Sequence, residues 1–324
     1  MVQEDMDFKN INEFQAGERI DGFFLVKSVE CKTSSNGKRY LDFNLGDKTG
    51  EINAKLWELA DGDDKRYSEN TLIKVRGMVN LWQNVLQLKI EKVRESIPSD
   101  GVKIDDFVPV APLEPEFMYS EIMNYVMAMK NEDIKNIVSY VLEENKEKLM
   151  YYPAAKKNHH SIKSGLLYHE LTMLRIGESL AKIYTYVNTD LLYAGIILHD
   201  LEKLHEMESS VLGIVSEYTV QGQLLGHIVQ GIKNLEVIGE NLGADKEIVM
   251  LLQHMILSHH YEPEFGSPVK PMIPEAELLH HIDIIDARMF DMKKALGDTE
   301  AGSFSERIWS LEGRKVYKTA MENE

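Results

Sequence analysis

The sequence predicts a small β-barrel followed by an all-α helical bundle, and three observations carry that expectation. From about residue 18 to 95, apolar and polar side chains alternate with a period of two, the pattern of half-buried strands. From Tyr119 onward, apolar residues recur every three or four positions, as on a buried helix face. Between these regions, Pro98, Pro109, Pro112 and Pro115 oppose both a regular helix and a central strand. The expected division is therefore a barrel over 1–95, a linker over 96–118 and a helical domain over 119–324.

In the barrel region, Leu41, Phe43 and Leu45 alternate with Tyr40, Asp42 and Asn44. Ile52, Ala54 and Leu56 alternate in the same way with Asn53, Lys55 and Trp57, after a turn at Asp47–Gly50. Ile73, Val75 and Val79 mark a fourth strand, and 85–90 a fifth, with Gln83-Asn84 at the hairpin. The polar stretch 58–70 is an insertion between the third and fourth strands. Five strands with such an insertion resemble the OB-fold barrel. With the apolar set inside, Tyr40, Lys55 and Trp57 face outward on neighbouring strands. An exposed aromatic pair beside a lysine suits the stacking of single-stranded bases. Lys38, Arg39, Lys74, Arg76 and Lys89 are candidates to follow a phosphate backbone. The alternative for Trp57 is packing against 58–70, and nothing here implies sequence-specific recognition.

In the helical region, Ile122, Tyr125, Val126 and Met129 share one face, and Ile134, Ile137, Val138 and Val141 the next. Apolar periodicity then continues over roughly 164–185, 189–204, 222–242, 246–258 and 275–296. The 324 residues are enough for two domains. Contents of 44% hydrophobic and 27% charged residues are ordinary for a globular protein. The net charge of −17 argues against a protein that coats duplex nucleic acid. The acidity is uneven, with 16 basic and 19 acidic residues through position 105 against 20 and 34 afterwards. The single cysteine, Cys31, excludes an intrachain disulfide and a zinc–thiolate cluster, so any metal must rest on histidine and carboxylate. Met1–Asn10 is acidic without an apolar core, unlike a secretory signal. No run approaches the roughly 18 apolar residues of a membrane span. Neither a membrane nor a disulfide-linked partner is expected.

Chemistry concentrates in the helical half. His199-Asp200 ends an apolar stretch, where the pair is costly to bury without a partner such as a metal ion. His169 lies on the preceding helical segment, while His227, His254, His259-His260, His280-His281, Asp283 and Asp286 follow. His169, His199, Asp200 and Asp283 suit a divalent ion such as Mn²⁺, with Fe²⁺, Co²⁺ and Mg²⁺ as alternatives. His227, His259 and His260 can complete a second site, with Asp200 bridging. Paired ions of this kind activate water and stabilise a leaving oxygen in phosphoester hydrolysis.

This ordered set resembles the HD phosphohydrolase superfamily, whose pattern is one His, then His-Asp, then a distal Asp. Over the whole chain the resemblance narrows to the YhaM-type 3′→5′ exoribonuclease family. It is carried by Asn158-His159-His160, Gly165-Leu166-Leu167-Tyr168-His169, Leu192-Tyr193-Ala194-Gly195, Gly222-Gln223-Leu224-Leu225-Gly226-His227, Leu257-Ser258-His259-His260, Gly266-Ser267-Pro268 and Ile285-Asp286-Ala287-Arg288. The resemblance implies a cytoplasmic, divalent-metal-dependent enzyme that trims single-stranded RNA from its 3′ end; DNA is a possible second substrate. It implies catalytic roles for Asp200 and Lys203, the latter against substrate phosphate, and favours Asp283 over Asp286 as the distal ligand. His254, His280 and His281 are expected to pack or to face solvent, and His159-His160 are candidates to line the pocket. Two alternatives stand beside this reading. One is an HD hydrolase of free or cyclic nucleotides, and the other a non-catalytic single-strand-binding protein with a decayed site. The hint of decay is His199-Asp200-Leu201-Glu202-Lys203, where the family usually has Gly in place of Glu202. A carboxylate there either projects toward the substrate phosphate, so that restoring glycine raises turnover, or pairs with Lys203 or Lys156 or faces solvent, so that glycine only lowers stability; the first is favoured.

Overall fold

A computed structural model describes residues 9–60, 62–156, 159–297 and 299–321. Met1–Phe8, the greater part of the stretch examined for a signal, lie outside the described residues, as does Asn158. The chain divides into two compact units, Met1–Pro109 and Val110–Glu324.

The first unit is a closed five-stranded barrel in the order β1-β2-β3-β5-β4. Its strands are β1 (Arg19–Thr33), β2 (Arg39–Gly46), β3 (Glu51–Leu56), β4 (Leu72–Trp82) and β5 (Val85–Glu95), with the one-turn helix α1 (Asp63–Arg66) between β3 and β4. β1 is long enough to serve two neighbours, pairing with β4 through Arg19–Leu25 and with β2 through Leu25–Thr33. A bulge between Val26 and Ser28 bends it at the change of partner. Closure comes from the parallel pairing of β3 with β5, Ala54 opposite Leu88. The inward set matches the alternation: Leu41, Phe43, Leu45, Ile52, Ala54, Leu56, Ile73, Val75 and Val79 are all buried. Gln83 and Asn84 both have positive φ, 49° and 64°, as a two-residue hairpin matched to strand twist requires.

The second unit contains α2 (Pro115–Met127), α3 (Glu132–Leu149), α4 (Gly165–Ala181), α5 (Thr189–Leu198), α6 (Lys203–Glu206), α7 (Val220–Leu242), α8 (Lys246–Ser258) and α9 (Pro274–Gly297). Three expectations need correction here. The proline-rich segment does not extend to 118, because α2 starts at Pro115 itself. Proline is suited to the first helical position, where its missing N–H is not needed. The unit is also not all-α, since β6 (Met207–Ser209) and β7 (Val215–Tyr218) form a hairpin between α6 and α7.

The third correction concerns 189–204, which is not one helix. α5 stops at Leu198, a turn carries 199–202, and α6 follows. Leu198, Leu201 and Leu204 are all buried, so the apolar period runs through the break and conceals it. α4, α5 and α9 pack around a common core that includes Leu171, Leu174, Leu192, Ile196, Leu279 and Ile282. α3 and α8 cover α5 from other sides. This packing brings the ends of α5 and α8, the N-terminal part of α4 and the middle of α9 to one place.

Candidate metal centre and nucleic-acid surface

Two of the central histidines sit at helix ends, where carbonyls lack intrahelical partners. His199 caps α5 and its Nδ1–H donates to the Ile196 carbonyl at 2.7 Å. His259 caps α8 and does the same to the Ile256 carbonyl, also at 2.7 Å. A carbonyl can only accept, so the proton is fixed on Nδ1 and each Nε2 presents its lone pair inward.

Two further histidines are oriented by carboxylates. His169, on α4, has Nδ1 2.7 Å from Asp286 Oδ2. His227 has Nδ1 3.1 Å from Glu206 Oε2, and its backbone N–H donates to Glu206 Oε1 at 3.3 Å. That backbone contact depends on a kink in α7 at Gly226, with φ 67° and ψ 168°. Such a conformation is strained for any residue with a Cβ.

Asp200 lies at the middle. Its Oδ2 is 3.4 Å from His199 Nε2 and 4.0 Å from His169 Nε2, whereas Oδ1 is 3.4 Å from His227 Nε2 and 3.8 Å from His259 Nε2. Two ligand groups share Asp200, each with donor atoms within 4.8 Å of one another, and a further group of His199, His259 and Asp283 links them. One is His169, His199 and Asp200; the other is Asp200, His227, His259 and His260. Asp283 approaches the first group, with Oδ1 3.3 Å from His169 Nε2. His260 is held by two contacts: its Nδ1–H donates to the Phe265 carbonyl at 2.5 Å and its backbone N–H to Ser267 Oγ at 3.0 Å.

The Nε2 atoms of His169, His199, His227 and His259, together with Asp200 Oδ1, are buried without a hydrogen-bond partner. Stranding five such atoms side by side is costly, and a cation satisfies them together. A donor set of imidazole and carboxylate suits a divalent ion. The electrostatics agree. Burial acts against the Asp200 and Asp283 carboxylates, but Lys203 and His199 hold Asp200 well below the usual carboxylate range, and His169 does the same for Asp283. Burial pushes His259 and His260 down, so both are neutral and ready to ligate. His169 behaves oppositely: burial lowers it, yet Asp283 and Asp286 raise it to about 10. In the metal-free protein it is therefore charged throughout pH 7–8. Metal loading in that range is expected to release about one proton from this histidine. Calorimetric titration in buffers of different ionisation enthalpy checks this, and a buffer-independent heat contradicts it.

Lys203, expected at substrate phosphate, donates to Asp200 Oδ2 at 2.6 Å. Asp286, the runner-up for distal ligand, orients the site from behind: the oxygen that meets His169 Nδ1 also lies 2.6 Å from His160 Nε2. His159 lines the neighbouring cleft, whereas His160 is buried against Asp286. His280 packs, donating from Nδ1 to the His259 carbonyl at 2.7 Å. His254 accepts from the Met272 N–H at 2.9 Å, and His281 lies exposed near Glu277. Glu206 was not singled out by sequence, for it belongs to no motif and acts only where the chain folds back onto α7. Glu170, also unflagged, is fully buried with both oxygens unpartnered, and burial raises its pKa well above the usual value.

Two protein-family profiles match the chain: an HD domain over residues 166–288 and an OB-fold nucleic acid binding domain over 25–95. The 3′-5′ exoribonuclease YhaM of Geobacillus sp. (strain WCH70) is 43% identical over 310 residues, which is 96% of this chain and 95% of that protein. The protein of the same name from Bacillus subtilis (strain 168) is 42% identical over 96% of this chain and 98% of its own length. This chain belongs to the YhaM family. The structure corrects the expected direction of Glu202. The Glu202 carboxylate turns away from Asp200, accepting from Asn234 Nδ2 at 2.8 Å and lying 2.9 Å from His205 Nδ1. Its stem lies against α7 beside Gly231. Glu202→Gly is accordingly expected to leave turnover on RNA within about twofold while costing about 1–2 kcal/mol of stability, from lost hydrogen bonds and a flexible backbone. Thermal melts and steady-state rates check this, and a several-fold gain in turnover contradicts it.

On this YhaM-family barrel, Tyr40, Lys55 and Trp57 do come together. The rings of Tyr40 and Trp57 stack with centroids 4.4 Å apart and planes 24° apart. Lys55 Nζ lies 5.2 Å from the first ring and 5.8 Å from the second. Trp57 remains 40% exposed, so part of it is open to a ligand. The flanking cations are less available than the sequence suggests. Arg39 donates to Asp64 at 2.8 Å, and Arg76 to Asp21 at 2.9 Å, with Lys74 3.9 Å from the same carboxylate. Lys38 is exposed at the β1–β2 turn. Among the described residues, no helix is long and apolar enough to cross a membrane.

Proposed function

We propose that this chain is a metal-dependent 3′→5′ exoribonuclease, hydrolysing terminal phosphodiesters of single-stranded RNA to nucleoside 5′-monophosphates. The observation that carries the reading is the position of Asp200, with one oxygen toward each of two histidine groups whose inward nitrogens lack partners. His169, His199, Asp200 and Asp283 would hold one divalent ion, and Asp200, His227, His259 and His260 a second. Mn²⁺ is the first choice by ligand type, ahead of Fe²⁺, Co²⁺ and Mg²⁺. Such a pair, when bound, supplies Lewis acidity at the phosphate and an activated water.

The chain's own residues do the rest. Carbonyls at the ends of α5 and α8 fix the tautomers of His199 and His259. Asp286 and Glu206 fix those of His169 and His227. Lys203 adds positive charge at Asp200, where phosphate charge must be offset. The complete set of seven ligands, converging in one centre, supports catalysis over the decayed-site alternative. The name borne by the curated relatives supports RNA as substrate and the 3′ end as the point of attack.

A time course on 5′-labelled single-stranded RNA tests the reading. A ladder shortening from the 3′ end, stopped by chelator, is expected; internal fragments or intact RNA would overturn it. The barrel's part is single-strand binding through Tyr40, Lys55 and Trp57, with Lys38 and Arg39 beside them. Replacing both Tyr40 and Trp57 by alanine is expected to weaken affinity for single-stranded RNA about tenfold, since stacking contributes roughly 1–3 kcal/mol per base. Equal dissociation constants for the variant and the parent protein would remove these rings from the interface.

A further inference from the structure

A cleft of about 620 Å³ adjoins the ligands His259, His260 and Asp283 and reaches Phe265, Arg288 and Ser310. That volume lies in the range of small-molecule sites. It has room for one unpaired nucleotide. Two non-histidine aromatic rings line it among the described residues, Tyr261 and Phe265. Tyr261 is already engaged: His280 stacks on it at 4.6 Å, and Lys270 Nζ lies 4.4 Å from its centroid.

Phe265 is different. Its ring is 69% exposed, so packing does not account for it. Its backbone is nevertheless tightly placed. The Phe265 carbonyl accepts from His260 Nδ1 at 2.5 Å, and Ser267, two residues on and fully buried, accepts from the His260 N–H. The ring is therefore an exposed aromatic surface on a turn fastened to a metal ligand. Arg288, the one lysine or arginine among the described lining residues, is paired with Glu312 at 2.7 Å.

We propose that Phe265 is the shelf on which the 3′-terminal base stacks, making this cleft the seat of a single unpaired nucleotide of any base. The proposal rests on the exoribonuclease reading of the adjoining centre. Stacking on a phenyl face is tolerant of base identity, as removal of successive nucleotides requires. It also disfavours duplex ends, whose terminal base is already paired.

The test uses the full chain, as wild type and F265A, with two 5′-labelled oligoribonucleotides that differ only in their last position. One ends in an ordinary nucleotide and the other in an abasic ribose. For wild type, KM for removal of the last position is expected to be about tenfold lower on the ordinary RNA than on the abasic-ended one. In F265A that ratio is expected to collapse to about one, with metal content as in wild type, and F265W is expected to restore it. The proposal is overturned if F265A keeps the tenfold ratio, if it raises KM equally on both substrates, or if it loses metal, which would show the turn acting through His260. If wild type shortens neither RNA, the exoribonuclease reading itself falls and the stacking proposal with it.

Discussion

Asp200→Ala is expected to abolish RNA hydrolysis, with kcat reduced by at least on the order of 10³, and to empty the centre of metal. Loss of a single preorganised stabilising group costs roughly 10²–10³ in rate, and Asp200 serves both ligand groups at once. Its removal also leaves the Lys203 ammonium, only 13% exposed, without its partner. Asp200→Asn separates charge from shape, since it keeps the volume but removes the negative charge and replaces one acceptor oxygen with an NH2 donor. Both variants are expected to fail in metal analysis as well as in single-turnover assays. Wild-type metal content in Asp200→Ala would show that the ions, and the chemistry, lie elsewhere.

The second large effect is expected behind the ligands. Asp286→Asn should weaken metal binding about 10–100-fold, the usual cost of losing a carboxylate that orients a ligating histidine. One Asp286 oxygen meets both His169 and His160, so the substitution loosens a ligand and the buried histidine behind it together. Asp286 itself is held down to about 2: burial raises it, and hydrogen bonds from His160 and His169 more than offset that. Glu206→Gln is the matching change at His227, and its effect should fall on the other group of ligands. Isothermal titration of each variant with Mn²⁺ separates the two. If Asp286→Asn binds as tightly as the parent, Asp286 does not orient His169.

What the sequence disclosed follows from how local each signal is. Strand alternation depends on neighbours two residues apart, so Leu41 to Leu45 and Ile52 to Leu56 are assigned correctly without knowledge of the barrel's closure. The long first strand and its bulge were less legible, because they reflect a change of partner along one segment. The seven candidate ligands and their division into two groups about Asp200 could be proposed from order and residue type alone. Which oxygen of Asp200 faces which ring could not, because that depends on the fold.

Glu206 shows the limit most clearly. It reaches His227 only because Gly226 kinks α7 and the β6–β7 hairpin reverses the chain, and neither feature has a spacing in the sequence. The error at Glu202 has the same root. Proximity to Asp200 along the chain suggested proximity in space, whereas the turn after α5 swings that side chain onto Asn234. Asp286 was visible as a carboxylate three residues from Asp283, but its role depends on His160 arriving from a segment 126 positions away.

The division of one centre around Asp200 is tested most directly by anomalous diffraction from crystals of the full chain loaded with Mn²⁺. Two peaks are expected. One should lie among His169, His199, Asp200 and Asp283, the other among Asp200, His227, His259 and His260, with an Asp200 oxygen on each. A single peak, or peaks that leave Asp200 unligated, would contradict the account.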